Sequence, residues 1–180
     1  NVSIAVFKEY SANALQVDLS FTQDQQIILW HDWDPDDSVA LIRQEGREPV
    51  LKFKPFAPPK DSGWRKKISL LPLVEFRKRF SFIDKETNVK SDIPIPTFKE
   101  FMEWANQQDN LKLVLFKLRI PDDERRLALI MLERIQKTVD KLNHEPRFQM
   151  VFSTPHKEVL NLVRNQFDDF LFSYDRKIPA

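Results

Sequence analysis

From Leu15 to Phe21 apolar and polar residues alternate: Leu15, Val17, Leu19 and Phe21 against Gln16, Asp18 and Ser20. A period of two is the signature of a strand with one buried face. Thr22-Gln23-Asp24-Gln25 then reads as a turn, and a second apolar run, Ile27 to Trp30, ends in His31-Asp32. A strand followed at once by a short return strand puts Gln16, Asp18 and His31 within reach of one another. Carboxylates and an imidazole gathered at strand ends are the raw material of metal and acid–base sites. The bland reading of the same segment is a half-buried hairpin with one polar edge.

Downstream, strand patterns alternate with helix patterns. Asp34 to Asp37 is acidic and caps a helix over Ser38 to Gln44. Leu70 to Phe80 reads as a helix with a basic end. Thr97 followed three residues on by Glu100 is a capping box, and Phe98, Phe101, Met102 and Ala105 form the apolar stripe behind it. Leu111 to Arg119 is a buried strand with basic exit residues. A long amphipathic helix covers about Asp123 to Leu142, with Leu127, Ile130, Met131, Ile135, Val139 and Leu142 facing inward. Phe148 to Ser153 is a strand, Lys157 to Asn165 a helix and Phe170 to Tyr174 a last strand. His156 reads as a surface or cap residue at that helix start. Before the first strand, Ser3 to Ser11 has the spacing of a short helix. Strand–helix repetition of this kind indicates parallel β/α units.

Two blocks carry a resemblance. Gln16-Val17-Asp18, Thr22-Gln23-Asp24-Gln25, Ile27 to Trp30 and His31-Asp32 follow one another at the spacing of the glycerophosphodiester phosphodiesterase family. That pattern runs Glu-x-Asp, Thr-x-Asp-Gly, an apolar strand and His-Asp. Ile95-Pro96-Thr97-Phe98-Lys99-Glu100 is similar to the family's Ile-Pro-Thr-Leu-x-Glu. The resemblance implies an α/β fold of TIM-barrel-like (β/α) repeats. It also implies a divalent cation held by two Glu and an Asp, with two His as acid and base, hydrolysing a glycerophosphodiester. This sequence departs from that pattern. Gln16 stands for the first metal carboxylate and Gln25 for the turn glycine. On the strand after the Ile-Pro-Thr helix, Lys117 falls where the third carboxylate belongs and Arg119 where the family has lysine. By position, then, Asp18 is the remaining metal ligand, His31 the catalytic residue, and Lys117 and Arg119 the phosphate-binding cations. The second family His belongs to a segment before Asn1.

These departures set the expectations. One glycerophosphodiester phosphodiesterase-like domain covers residues 1–180, with an insertion at about 33–92. About five of eight barrel strands are recognisable, so the barrel is incomplete, and a longer parent chain or an oligomer is expected to cover its open edges. Phosphodiester hydrolysis is expected to be weak or absent, with no tightly bound cofactor and the Lys117 ammonium paired with Asp18 in the metal's place. The alternatives are an active Ca²⁺- or Mg²⁺-dependent hydrolase of lipid metabolism, and a non-catalytic domain that binds a phosphate or lipid headgroup.

Composition narrows the partners. Hydrophobic residues at 42% and charged residues at 31% place the chain among globular proteins. A net charge of +1 argues against binding nucleic acid by bulk electrostatics. The absence of cysteine excludes disulfides and thiolate metal sites. No apolar run approaches the ~20 residues that span a bilayer, and nothing fixes the compartment. Asn1 in place of Met suggests a processed or excised piece, and Asn1-Val2-Ser3 has the form of a glycosylation acceptor. Residues 47–67 mix Lys52, Lys54, Lys60, Arg65, Lys66 and Lys67 with Phe53, Phe56 and Trp64. They suit either a membrane surface or a solvated loop around a small aromatic core. The second fits better, because six cations over so long a loop are not a dense patch.

Overall fold

The structure, a computed structural model, describes residues 12–48, 51–142, 145–164, 166–167 and 170–175. The Ser3–Ser11 helix and the Asn1 acceptor motif lie outside the described residues. Among those residues the main sheet has five strands: β1 (Ala14–Phe21), β2 (Ile27–Leu29), β5 (Leu113–Leu118), β6 (Gln149–Thr154) and β7 (Leu171–Tyr174). Their order is β2-β1-β5-β6-β7. β1, β5, β6 and β7 are parallel, and β2 folds back antiparallel on the end of β1. A second sheet pairs β3 (Phe53–Phe56) with β4 (Ser81–Asp84). The helices are α1 (Ser38–Gln44), α2 (Leu73–Arg79), α3 (Phe98–Ala105), α4 (Arg126–Val139) and α5 (Lys157–Arg164). The parallel strands and their helices make an open, barrel-like α/β sheet, and no closed barrel forms among the described residues.

Strand parity decides where the site lies. Leu15, Val17 and Leu19 of β1 and Val114, Phe116 and Leu118 of β5 are buried under α3, α4 and α5. Phe116 stacks on Phe152 with centroids 5.2 Å apart and meets Phe98 and Phe101 edge-on. Each such fully buried ring contributes roughly 2–3 kcal/mol of transfer free energy. The opposite parity, Gln16 and Asp18 on β1 and Leu115 and Lys117 on β5, faces the other side of the sheet.

A second apolar cluster stands beside it. Trp30, Ile68, Leu71, Phe76, Phe80 and Ile95 are buried together, with the Trp30 ring edge-on to Phe76 at 5.5 Å. Trp30 Nε1 donates to the Asp32 carbonyl at 3.0 Å, which fixes the chain just after His31.

Three local expectations need adjustment. The helix expected over Leu70 to Phe80 is split: a 3-10 turn covers Ile68–Leu70, and α2 begins behind Pro72, its N-cap. The β3–β4 ribbon carries no alternation visible in the chain, and Pro55 sits within it. α4 starts at Arg126, after a 3-10 turn over Asp122–Glu124. Its most buried residues are Ala128, Met131, Leu132 and Ile135, while Leu127, Ile130 and Val139 pack at its edge and Leu142 lies past its end.

The expected capping box is present. Thr97 Oγ1 accepts from the Glu100 N–H at 3.2 Å, and Glu100 Oε2 accepts from the Thr97 N–H at 2.7 Å. The β1–β2 turn also forms, with Gln25 at φ +58° where the resemblance expects glycine.

Candidate functional site

The carboxyl ends of β1 and β5 bring Asp18 and Lys117 side by side as register partners. One residue past the end of β5, the Arg119 N–H still bonds the Leu19 carbonyl at 2.9 Å, so Arg119 keeps the parity of Lys117. Its guanidinium leans back across the strands, and Nε donates to Asp18 Oδ1 at 2.7 Å. Both side chains are about a quarter exposed, at 27% and 22%. The terminal amino groups of Arg119 have no protein acceptor among the described residues.

Lys117 behaves differently from expectation. Its ammonium does not pair with Asp18; it pairs with Asp175, just past β7, at 2.7 Å. The physical reason is room. Ser153 and Ser173 lie at the level of Lys117 on β6 and β7, and their small side chains let the lysine stem cross the sheet. Arg119 then takes the place beside Asp18, because its longer fork reaches the carboxylate diagonally.

His31 follows β2 and is partly buried. Its Nδ1 stands 2.6 Å from Asp32 Oδ1. Asp32, 6% exposed, also accepts from Arg43 Nη1 at 3.1 Å. Arg43 comes from α1, whose N-cap Asp37 accepts from the Val39 N–H. Arg43 Nε stands 3.5 Å from Glu48 Oε2, near enough for charge attraction but without a hydrogen bond. Asp32 therefore holds both the imidazole and a guanidinium in fixed orientation.

A cavity of about 350 Å³ gathers these groups: Gln16, Asp18, His31, Arg43, Glu48 and Arg119 line it, together with apolar side chains of β2, β3 and β4. Lys117 does not line it. On its other side His31 borders a second hollow shared with Asp32, Arg119 and His156. His156 immediately precedes α5; its carbonyl accepts from the Leu160 N–H at 3.0 Å, and its Nε2 lies 2.9 Å from the Ile120 carbonyl. Sequence reasoning missed Arg43, which looks like an ordinary cation on an amphipathic helix; only the fold turns it onto Asp32.

A divalent cation fits these residues poorly. Hard cations take several oxygen ligands, chiefly carboxylates. Here Asp18 is engaged by the Arg119 guanidinium, Asp32 by that of Arg43, and Gln16 offers only a neutral amide. Among the described residues, no three His, Cys, Asp or Glu side chains stand close enough to share one ion.

The insertion is built around its cations and rings rather than loosely solvated. The Arg65 side chain is 5% exposed; it bonds Asp36 at 2.7 Å and the carbonyls of Pro58 and Pro35. Trp64 lies 3.9 Å beneath the Arg79 guanidinium, and Phe56 lies under Lys90. No helix among the described residues is long and apolar enough to cross a membrane.

No protein-family model matches the chain, and no curated protein matches it. Solved structures do. The chain is similar to a protein from Silicibacter pomeroyi assigned as a glycerophosphoryl diester phosphodiesterase, with TM-score 0.69 and 15% identity, over 98% of this chain and 62% of that one. It is also similar to a protein from Galdieria sulphuraria assigned as a glycerophosphodiester phosphodiesterase, with TM-score 0.53 and 17% identity, over 96% and 56%. The chain thus spans well under the full length of either. The fold read from the two motif blocks is the fold found.

Proposed function

We propose that this chain, which has the glycerophosphodiester phosphodiesterase fold, is a divergent form that binds an anionic phosphodiester headgroup and hydrolyses it slowly or not at all. One observation carries the reading: the guanidinium of Arg119 sits on Asp18, where the resemblance puts a metal ligand, and its terminal amino groups have no protein acceptor among the described residues. A planar guanidinium with open donors recognises a phosphate in bidentate fashion. Arg43 and His31, both held by Asp32, supply further donors to the same cavity. Glycerophosphodiesters are deacylated phospholipids, so the reading assigns the domain to lipid metabolism as a binder.

The test joins three measurements on the purified protein: calorimetric titration with Ca²⁺ and Mg²⁺, a hydrolysis assay on glycerophosphocholine, and titration with glycerophosphocholine itself. Headgroup binding that Arg119→Ala removes, without metal-dependent turnover, is the expected result. Micromolar affinity for either cation together with metal-dependent hydrolysis overturns it in favour of an active hydrolase.

A further inference from the structure

On the outer wall of the sheet, away from the cavity of Asp18 and Arg119, a groove of about 900 Å³ runs between α3 and the second half of α4. Its charge is one-sided. Lys99, Arg134, Lys137, Lys141 and Arg147 line it against one carboxylate, Glu103. This is a local concentration in a chain whose net charge is only +1.

Three of the five cations have side-chain partners. Lys99 takes Glu103 at 3.8 Å, and Arg147 takes Asp109 at 3.2 Å. Arg134 is held by the neutral side-chain oxygen of Gln25. Lys137 and Lys141 form no ion pair among the described residues, and both are exposed.

Spacing gives the shape of the ligand. Arg134, Lys137, Thr138 and Lys141 follow one another at intervals of three, one and three. The first three share one face of α4, Lys141 lies in the turn just past its end, and all four line the groove over about 10 Å. Charges strung along a line do not converge on a compact anion such as inorganic phosphate. They match carboxylates on alternate residues of an extended peptide, which recur every ~6.6 Å. The side chains between those carboxylates would point the other way, toward the α3 wall, while Ile27 and Phe98 lie buried beneath the floor and only Leu142 is half-exposed. Asn106 and Gln107 on the α3 wall offer amides to a peptide backbone. A bilayer surface is flat and cannot enter a groove between two helices.

We propose that this groove docks a short extended segment of a partner protein that presents acidic residues along one face. The proposal is independent of the headgroup cavity, which shares none of these residues.

The experiment is fluorescence anisotropy with a labelled peptide alternating glutamate and leucine, at low ionic strength. Binding is expected, and it should weaken as salt screens the charges. The double variant Lys137→Glu, Lys141→Glu should bind about tenfold more weakly or worse, since charge reversal juxtaposes like charges. The milder pair Lys137→Gln, Lys141→Gln should fall between, and serves if the reversal variant fails to fold. A peptide alternating lysine and leucine should not bind, while Arg119→Ala should bind the acidic peptide like the parent protein. The proposal is overturned if the acidic peptide does not bind, or if it binds both lysine variants undiminished. It is also overturned if phosphatidylserine vesicles bind through the same two lysines, which would make the face a lipid surface.

Discussion

If Arg119 occupies the position of a metal, removing it should change metal affinity only where ligands have been restored. The geometry sets the size of the effect. A Ca²⁺ bound to Asp18 would lie ~2.4 Å from the carboxylate oxygen. Arg119 Nε lies 2.7 Å from that same oxygen. The dication and the guanidinium would then be about 5 Å apart at most, repelling by about 7 kcal/mol at an effective dielectric of 20. The side chain can escape by swinging outward, at the cost of a partly exposed ion pair worth roughly 1 kcal/mol. Arg119 therefore weakens metal binding by about fivefold if it swings away, and by far more if packing holds it in place. The assay is calorimetric Ca²⁺ titration of two variants, Gln16→Glu with Lys117→Glu, and the same pair with Arg119→Ala added. The pair alone should bind weakly, because the guanidinium still covers Asp18. The triple variant should bind about fivefold tighter or more. Equal affinities for pair and triple would refute the placement of Arg119 on the metal's ground.

Other expectations concern the scaffold and the insertion. Thr97→Ala should lower stability by about 1 kcal/mol in denaturant unfolding, the usual cost of a lost threonine cap, because one N–H at the start of α3 loses its acceptor. The Glu100 carboxyl should make the same cap sensitive to acid. Burial raises its pKa, but the Thr97 N–H, the Arg77 guanidinium and the Thr97 hydroxyl together hold it below the ordinary 4.5. A depressed carboxyl stabilises fully above its unfolded pKa and loses that contribution as pH falls through the folded one. The melting-temperature gap between the parent protein and Glu100→Gln should therefore be open at neutral pH and narrow as pH falls below 4.5. Anionic vesicles should not sediment the protein through residues 47–67, since Arg65 is buried and Phe56 and Trp64 already carry cations. Vesicle binding that Lys60→Glu with Lys66→Glu abolishes would reverse that view.

What could be read from the chain was local pattern. The β1–β2 hairpin, the capping box at Thr97 and the strands from Leu111 onward each declare themselves within a dozen residues, through alternation or a cap. The β3–β4 ribbon does not. Its strands are four residues each, Pro55 interrupts one, and their pairing joins segments far apart in the chain. Pro72 was the available signal for the split between the 3-10 turn and α2, and only the fold shows which side of it becomes helix. In the site, parity correctly puts Asp18 and Lys117 on one face. It cannot say which cation turns to Asp18. That depends on the space left by Ser153 and Ser173 and on Asp175, three strands from Asp18, none of which adjoins Lys117 in sequence.

The resulting charge balance makes a prediction whose sign separates binder from hydrolase. At the top of the sheet Asp18 and Asp175 face Arg119 and Lys117, so the fixed charges cancel without any ion. A site built for a dication needs surplus carboxylate; here an added cation would leave two uncompensated positive charges. An added phosphodiester competes only with Asp18 for the Arg119 fork. Asp18→Asn removes that competitor while keeping the side chain's size. At about 5 Å and an effective dielectric of 20, a unit charge is worth about 3 kcal/mol, and partial exposure reduces this substantially. Glycerophosphocholine should therefore bind Asp18→Asn several-fold more tightly than the parent protein in calorimetric titration, and Arg119→Ala should cancel the gain. Were Asp18 instead a working metal ligand, the same substitution would weaken binding and abolish turnover. A loss of headgroup affinity in Asp18→Asn, with the fold intact by circular dichroism, would refute the binder reading at its central pair.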